Sequence, residues 1–311
     1  MKRQFRDISG ILLLDKPQGL SSNQALQKVR WMFNARKAGH TGSLDPMATG
    51  LLPICLGEAT KIAGHLLGSR KAYLAELRLG VTTNTDDAEG QVVLTRPVPP
   101  LDDAVIDAAL VSLRGRIVQI PPVYSALKQG GVALYKRARR GEDVEAPPRE
   151  VEVHRLELSG REGDLLRLNV ECGSGTYVRS LARDLGEQLG CGAHLTALRR
   201  TWVEPFIEPQ MTTLDALLQM QVDGDFSALD RLLLPLEEGL AALPALHLDP
   251  VQAQMLRHGQ RLIMPEAAES GLSRALDGDG HLIALVEVRT GGEIAVRRGF
   301  NAPFFHPNRL Q

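Results

Sequence analysis

The segment GHTGSLDPMATGLLP, residues 39–53, places one carboxylate, Asp45, among glycines, small hydroxyls and a proline. Neighbouring positive charge favours the ionised form of such a group. An ionised, positioned carboxylate can act as a nucleophile, an electrostatic stabiliser or a metal ligand. No second hard ligand lies near it in the sequence, which argues against a metal. Two-carboxylate glycoside chemistry needs a partner acid, and the sequence offers no obvious one. The plain alternative is an Asx-turn ahead of Pro46.

A second candidate is GTYVRSLARD, where Arg179 and Arg183 stand four apart on an expected helix, on one face and off its leucine stripe. They are either a solvated surface pair or, for Arg179 in the first turn beside a glycine-rich entry, a bidentate partner for an acid such as Asp45. Tyr73 and Tyr177 stand out because aromatic residues make up only 4% of the chain. Tyr73 shares a strand face with Ala75, Leu77 and Leu79, so packing alone would also account for it. In SALKQGGVALYKRARRG, a Gly-Gly turn precedes a short helix bearing Lys136, Arg137, Arg139 and Arg140. Such a run is a solvated helix or a surface for a phosphate backbone.

The elements that must position these residues follow from periodicity. GILLLDKPQGLSS reads as a strand, a Pro-Gly turn and a serine N-cap. NQALQKVRWMF then sets Ala25, Val29 and Met32 near one helical face. LLPICL is a short buried strand and EATKIAGHLL a helix. KAYLAELRLG alternates as a half-buried strand, and TTNTDDAEG is a polar loop. DDAVIDAALVSL is a helix with acids in its first turn. REVEVHRLEL and LLRLNVEC are strands, followed by a helix with the stripe Val178, Leu181, Leu185 and Leu189. Residues 204–240 read as irregular chain with short helices around Leu214–Met220 and Leu229–Leu233. Beyond Pro244 the pattern is one helix and several short strands with glycine turns. Strands in antiparallel-looking sets, interleaved with helices, favour an α+β fold over a doubly wound sheet.

The 311 residues are 43% hydrophobic and 23% charged, an ordinary globular composition with room for two domains. The apolar run Ile11–Leu14 is too short for a signal peptide. No stretch approaches the roughly 20 apolar residues of a membrane helix, so a cytoplasmic protein is expected. Cys55, Cys172 and Cys191 have no paired spacing, which suggests neither a disulfide framework nor a zinc site. No HExxH, phosphate-binding loop or dinucleotide turn is present, so neither a cofactor nor a metal is expected. Net charge is −1, but it is unevenly distributed. Residues 108–141 hold seven Lys or Arg and no acid, whereas residues 204–240 hold eight acids and one base. If that segregation persists in space, one face suits a polyanion; otherwise it is scattered surface charge.

Together, LLLDKPQGLSS, GHTGSLDPMATGLLPICLGEATK, KAYLAELRLGVTTNTDDAEG, QIPPVYSALKQGGVALYKRARRGEDVE, GTYVRSLARDLG and HLTALRRT strongly resemble the TruB family of tRNA pseudouridine synthases. These segments run in family order across almost all of residues 10–203, and the C-terminal segment more loosely resembles a PUA domain. The resemblance implies an α+β fold: a mixed, largely antiparallel sheet with flanking helices, and a small C-terminal PUA-like β-barrel. It implies a catalytic domain over residues 1–243, with an RNA-gripping thumb at about 124–151, and an RNA-binding domain over 244–311. The implied reaction is a cofactor-independent isomerisation of uridine to pseudouridine in the T loop of tRNA, position 55 in tRNA numbering.

The same resemblance assigns roles. Asp45 matches the nucleophile, Arg179 its partner, and Tyr73 a tyrosine that stacks on the target base and moves a proton. His40, Tyr177 and Leu198 match residues lining the nucleotide pocket. Lys61 matches a lysine with a phosphate or structural contact, and Lys128, Lys136, Arg137, Arg139 and Arg140 fall in the thumb. Ser43 stands where threonine is common, which leaves the chemistry undisturbed. The implied partner is the tRNA T arm, bound by a monomer without a protein partner or membrane. Two rival readings remain: a non-catalytic RNA-binding or tRNA-folding module, and a glycosidase on free nucleosides, which the missing partner acid disfavours.

Overall fold

The structure, a computed structural model, describes residues 5–67, 70–221, 225–265 and 270–301; the last ten residues of the expected C-terminal domain lie outside these. In chain order the elements are β1 (Gly10–Lys16), α1 (Ser22–Met32), β2 (Ala38–His40), β3 (Thr49–Leu56), α2 (Ala63–Leu67), β4 (Lys71–Leu79), β5 (Val81–Thr83), β6 (Val92–Thr95) and α3 (Asp103–Val111). They continue as β7 (Gly115–Gln119), β8 (Lys128–Gln129), β9 (Val132–Ala133), α4 (Leu134–Ala138), β10 (Arg149–Glu162), β11 (Leu165–Cys172), α5 (Val178–Gln188), β12 (Ala193–Val203) and β13 (Thr212–Thr213).

A mixed sheet runs in the order β13-β1-β3-β12-β4-β11-β10-β7, with β2 added on β3. The β1–β13 and β3–β12 pairs are parallel and the others antiparallel. This is the α+β class that the sequence implies. Alternation along β1 feeds two cores. Leu12 and Leu14 join the side chains of α1, α3 and α5 on one face, while Ile11 and Leu13 join a second cluster on the other. That double coverage explains why GILLLDK is nearly continuously apolar rather than alternating.

The helix α1 starts at Ser21 with a capping box to Gln24, and buries Ala25, Leu26, Val29 and Met32. All four residues of the expected α5 stripe are buried. Arg179, off that stripe, is 4% exposed, which fits the second of its two sequence readings rather than a solvated surface pair. EATKIAGHLL is also not one helix. A 3₁₀ turn, Gly57–Lys61, precedes the short α2. The Glu58–Lys61 ion pair at i,i+3 suits 3₁₀ geometry, which stacks those positions. In the acidic segment, the helix expected over Leu229–Leu233 is the single turn Ser227–Asp230.

The C-terminal unit holds five strands in one sheet, ordered Ala245–His247, Gly271–Leu276, Leu282–Val288, Glu293–Gly299 and Leu262–Ile263, with the helix Pro250–Arg257 against it. Leu276, Leu282, Leu285 and Phe300 from this unit share the second core with Ile11, Leu51 and Ile62. Among the described residues no helix is long and apolar enough to cross a membrane.

Candidate active site

Asp45 sits on the loop between β2 and β3, and that loop is pinned from three elements. The Ser22 hydroxyl at the start of α1 accepts from Leu44 N at 2.7 Å and donates to Leu44 O at 3.0 Å. The Lys16 ammonium at the end of β1 donates to Leu20 O, Pro17 O and Pro46 O. Arg200 on β12 donates to Gly42 O at 3.1 Å and Leu51 O at 2.7 Å. The sheet below is tightly drawn: a Cβ at Gly50, whose φ is +95°, would lie 2.2 Å from Arg200 O.

Arg179 reaches Asp45 from the first turn of α5. Its Nε lies 2.9 Å from Asp45 Oδ2, a close ion pair whose N–H is not aligned on the oxygen. The rest of the guanidinium is fully engaged behind. Nη1 lies 3.3 Å from Asp87 Oδ2 and donates to Thr85 O, and Nη2 donates to Tyr124 O. Tyr177, immediately before α5, is clamped by Gln119 at the end of β7. The amide Nε2 donates to Tyr177 O at 3.1 Å and Oε1 accepts from Tyr177 N at 2.8 Å. Gln119 is wholly buried and supplies the acceptor that the Tyr177 N–H lacks at the helix entry, while Tyr177 O also accepts from Leu181 N at 3.2 Å.

These elements enclose a cleft of about 260 Å³ lined by Asp45, Tyr73, Tyr177, Arg179 and Leu198, together with Lys71 and Arg200. Five of the residues singled out in the sequence therefore meet in one place. His40 does not line the cleft. It lies on β2 opposite Ile54, near the Arg200 guanidinium, and burial with that charge pushes its imidazole below the usual histidine range. Lys61 lies elsewhere: it pairs with Glu58, donates to Gly299 O at 3.0 Å and sits over the Phe300 ring. That is a tie between the two parts of the chain.

In the thumb segment, Lys128, Lys136, Arg139 and Arg140 are exposed. Arg137 is engaged by Glu142 and Gln129, and Arg140 lies 4.0 Å from Glu142. The acid-free run thus meets its first counter-charge one residue beyond its end. A small core of Leu134, Val144 and Ala146 holds this segment together.

Burial raises the Asp45 carboxyl above the ordinary aspartate range; Arg179 and Lys16 oppose that rise and Asp87 adds to it. The expectation from basic neighbours alone is therefore incomplete, because desolvation weighs more than the local sequence charge shows. Tyr73 is likewise raised, first by burial, with Arg200 opposing. Burial lowers Lys16 to about 8 and Lys71 to about 8. Among the described residues, the buried side-chain polar atoms without a hydrogen-bond partner belong to His40, Thr41, Ser125, Thr176 and Arg179, all on or beside this cleft.

Asp87, Lys16, Gln119 and Arg200 had not been singled out. Each acts on a partner remote in sequence, and the loop TTNTDDAEG gave no sign that Asp87 would be 4% exposed behind Arg179. Asp87 does not line the cleft, so it does not supply the facing second carboxylate of a glycosidase.

Comparison with known proteins gives matches along nearly the whole chain. Residues 30–178 match the model of the TruB family pseudouridylate synthase N-terminal domain. Residues 179–241 match the tRNA pseudouridylate synthase B C-terminal domain, and 243–296 the tRNA pseudouridine synthase II C-terminal model. The chain is 57% identical over 297 residues to tRNA pseudouridine synthase B of Xanthomonas campestris pv. campestris, covering 96% of each. It is 58% identical over 297 residues to that of Xylella fastidiosa, covering 96% of this chain and 97% of the relative. Among solved structures, a Cbf5-Nop10-Gar1 complex superposes with a TM-score of 0.73 at 26% identity, covering 96% of this chain and 86% of the other. An H/ACA RNP bound to a substrate RNA containing 2′-deoxyuridine gives 0.73 at 25%, covering 95% and 86%.

The two lowered lysines set a pH dependence of stability. Lys71 titrates near 8 folded and near 10.5 unfolded, so between those values the unfolded chain binds more protons and stability rises with pH. Below about pH 8 the cost of the buried charge is fully present. Urea unfolding at pH 8 and pH 9.5 should therefore show wild type gaining on the order of 1 kcal/mol per pH unit relative to Lys71→Met. Parallel pH dependences for the two proteins would refute this assignment.

Proposed function

The chain belongs to the TruB family of pseudouridylate synthases, and on that premise we propose that it isomerises uridine to pseudouridine at position 55 in the T loop of tRNA, with Asp45 as nucleophile. The observation that carries this reading is the disposition of Asp45. Its side chain is 39% exposed into a nucleoside-sized cleft while a buried arginine holds it from behind. The reaction cuts the N1–C1′ bond, turns the uracil within the pocket and joins C5 to C1′. One carboxylate suffices, because the departing base is a stabilised anion and no water is consumed in the isomerisation. Arg179 fixes the orientation and charge of Asp45 in a site with little water, where such preorganised electrostatics contribute most.

The target base must leave its stack at a cost of a few kcal/mol. Stacking on an aromatic ring returns roughly 1–3 kcal/mol per base. Tyr73 and Tyr177 are the rings offered by the cleft, Leu198 adds apolar wall, and His40 stands near Arg200 beside it. We assign residues 1–243 to the catalytic domain, about 124–151 to a thumb closing on the RNA, and 244–311 to a second RNA-binding domain. The protein acts in this proposal as a cytoplasmic monomer. Lys61, engaged at the junction, holds the two domains together rather than meeting phosphate.

A T-arm stem-loop carrying tritium at uracil C5 should release its label to water with wild-type protein and not with Asp45→Asn. Absence of release by wild type on folded substrate would overturn the proposal. Asp45→Asn that still binds and refolds tRNA would establish a separate binding role. Neutralising Lys128, Lys136 and Arg139 together should weaken tRNA binding and flatten its dependence on salt by about one unit of slope per lost phosphate contact, with little change in the single-turnover rate. An unchanged salt slope would remove these residues from the RNA interface.

A further inference from the structure

Arg200 is 1% exposed, yet it carries a positive charge in the interior. Among the described residues no carboxylate lies within ion-pair distance of it; its guanidinium donates to Leu51 O and Gly42 O, and it lines the same cleft wall as Tyr73, its partner across the strands. A second cation, Lys71, lines the same cleft, and each charge disfavours the other. Two backbone carbonyls could be satisfied by a neutral amide, without the cost of burying an ion. A local violation of this kind, retained beside a reactive cleft, points to the reaction rather than to the fold.

The register shows what the charge addresses. Arg200 on β12 is the direct antiparallel partner of Tyr73 on β4, and Leu198 pairs with Ala75 two positions along. Both side chains therefore project from the same sheet face into the cleft. A guanidinium has only donors, so toward Arg200 the phenol oxygen can act only as an acceptor, with its own proton left to point elsewhere.

We infer that Arg200 is a positioning residue for the isomerisation, acting through Tyr73: its guanidinium holds the phenol oxygen at the cleft wall and offsets negative charge on that oxygen while it handles the substrate proton. The inference rests on the proposed reading of Tyr73. The isomerisation breaks N1–C1′, forms C5–C1′ and moves one proton net from C5 to N1, with nothing oxidised or reduced. Tyr73 gives its proton to water, the phenolate takes the proton from C5, and N1 is protonated from water. The phenolate oxygen is where Arg200 matters. Cys172 and Asp45 also face Tyr73 and supply no positive charge, while Lys71, two positions before Tyr73 on the same face of β4, lines the same cleft.

The test is a double-mutant cycle of Arg200→Gln and Tyr73→Phe, with single-turnover rates on a T-arm stem-loop measured across pH. Arg200→Gln alone should lose at least tenfold in rate, with its rise in rate displaced to higher pH. In the Tyr73→Phe background it should cost less than twofold more, and Arg200→Lys should recover part of the loss. If Arg200→Gln does not fold, by thermal melting and tRNA binding, Arg200→Lys is carried through the same cycle, with a smaller loss that again vanishes in the Tyr73→Phe background. An undiminished penalty in the Tyr73→Phe background, or a pH profile identical to wild type, would overturn the inference and leave Arg200 as a staple of the Asp45 loop. A Tyr73→Phe protein as fast as wild type would instead overturn the reading of Tyr73, and with it this inference.

Discussion

The ion pair between Asp45 and the buried guanidinium of Arg179 is the interaction on which the other parts of the site converge. Arg179 is 4% exposed and meets two carboxylates and two backbone carbonyls. Removing one partner from such a cluster leaves charge uncompensated in a medium that cannot solvate it, which costs several kcal/mol. The surrounding chain is therefore obliged to present all four acceptors together. Lys16, Ser22 and Arg200 hold the Asp45 loop, Gln119 holds the entry to α5, and Thr85 and Asp87 come from the loop after β5.

One of those carbonyls belongs to Tyr124, at the root of the thumb. The hydroxyl of Ser180 and the guanidinium of Arg183 both donate to Ile120 O just before it. The first turns of α5 thus carry the partner of Asp45 and also the hinge side of the segment proposed to grip RNA. Lys128, Lys136, Arg139 and Arg140 of the thumb are exposed, while in the acidic segment 204–240 Asp230 pairs with Arg6 and Glu204 with Arg70.

The sequence made Asp45, Arg179, Tyr73, Tyr177 and Leu198 legible as a set because they sit in motifs that resemble one family, and the strands and helices carrying them follow from periodicity. What it hid were the supports. Lys16 is thirty residues from Pro46, and Gln119 is fifty-eight from Tyr177. No local pattern announces such contacts. Asp87 looked like one more acid in a polar loop, and Arg200 like one more base in LRRT. Lys61, whose motif suggested phosphate or structure, proved to be tied to Gly299 and Phe300 by a contact spanning most of the chain. The single helix expected over EATKIAGHLL is instead a 3₁₀ turn followed by a short helix.

If Arg179 serves the reaction through the charge and orientation of Asp45, its loss must appear in the chemical step and not in RNA affinity. The direct measurement is tRNA binding and single-turnover rate side by side for Arg179→Ala. The account predicts a rate lower by at least about a hundredfold, the scale seen when a preorganised electrostatic partner is removed, with affinity within about threefold of wild type. Normal turnover accompanied by a large loss of binding would contradict it.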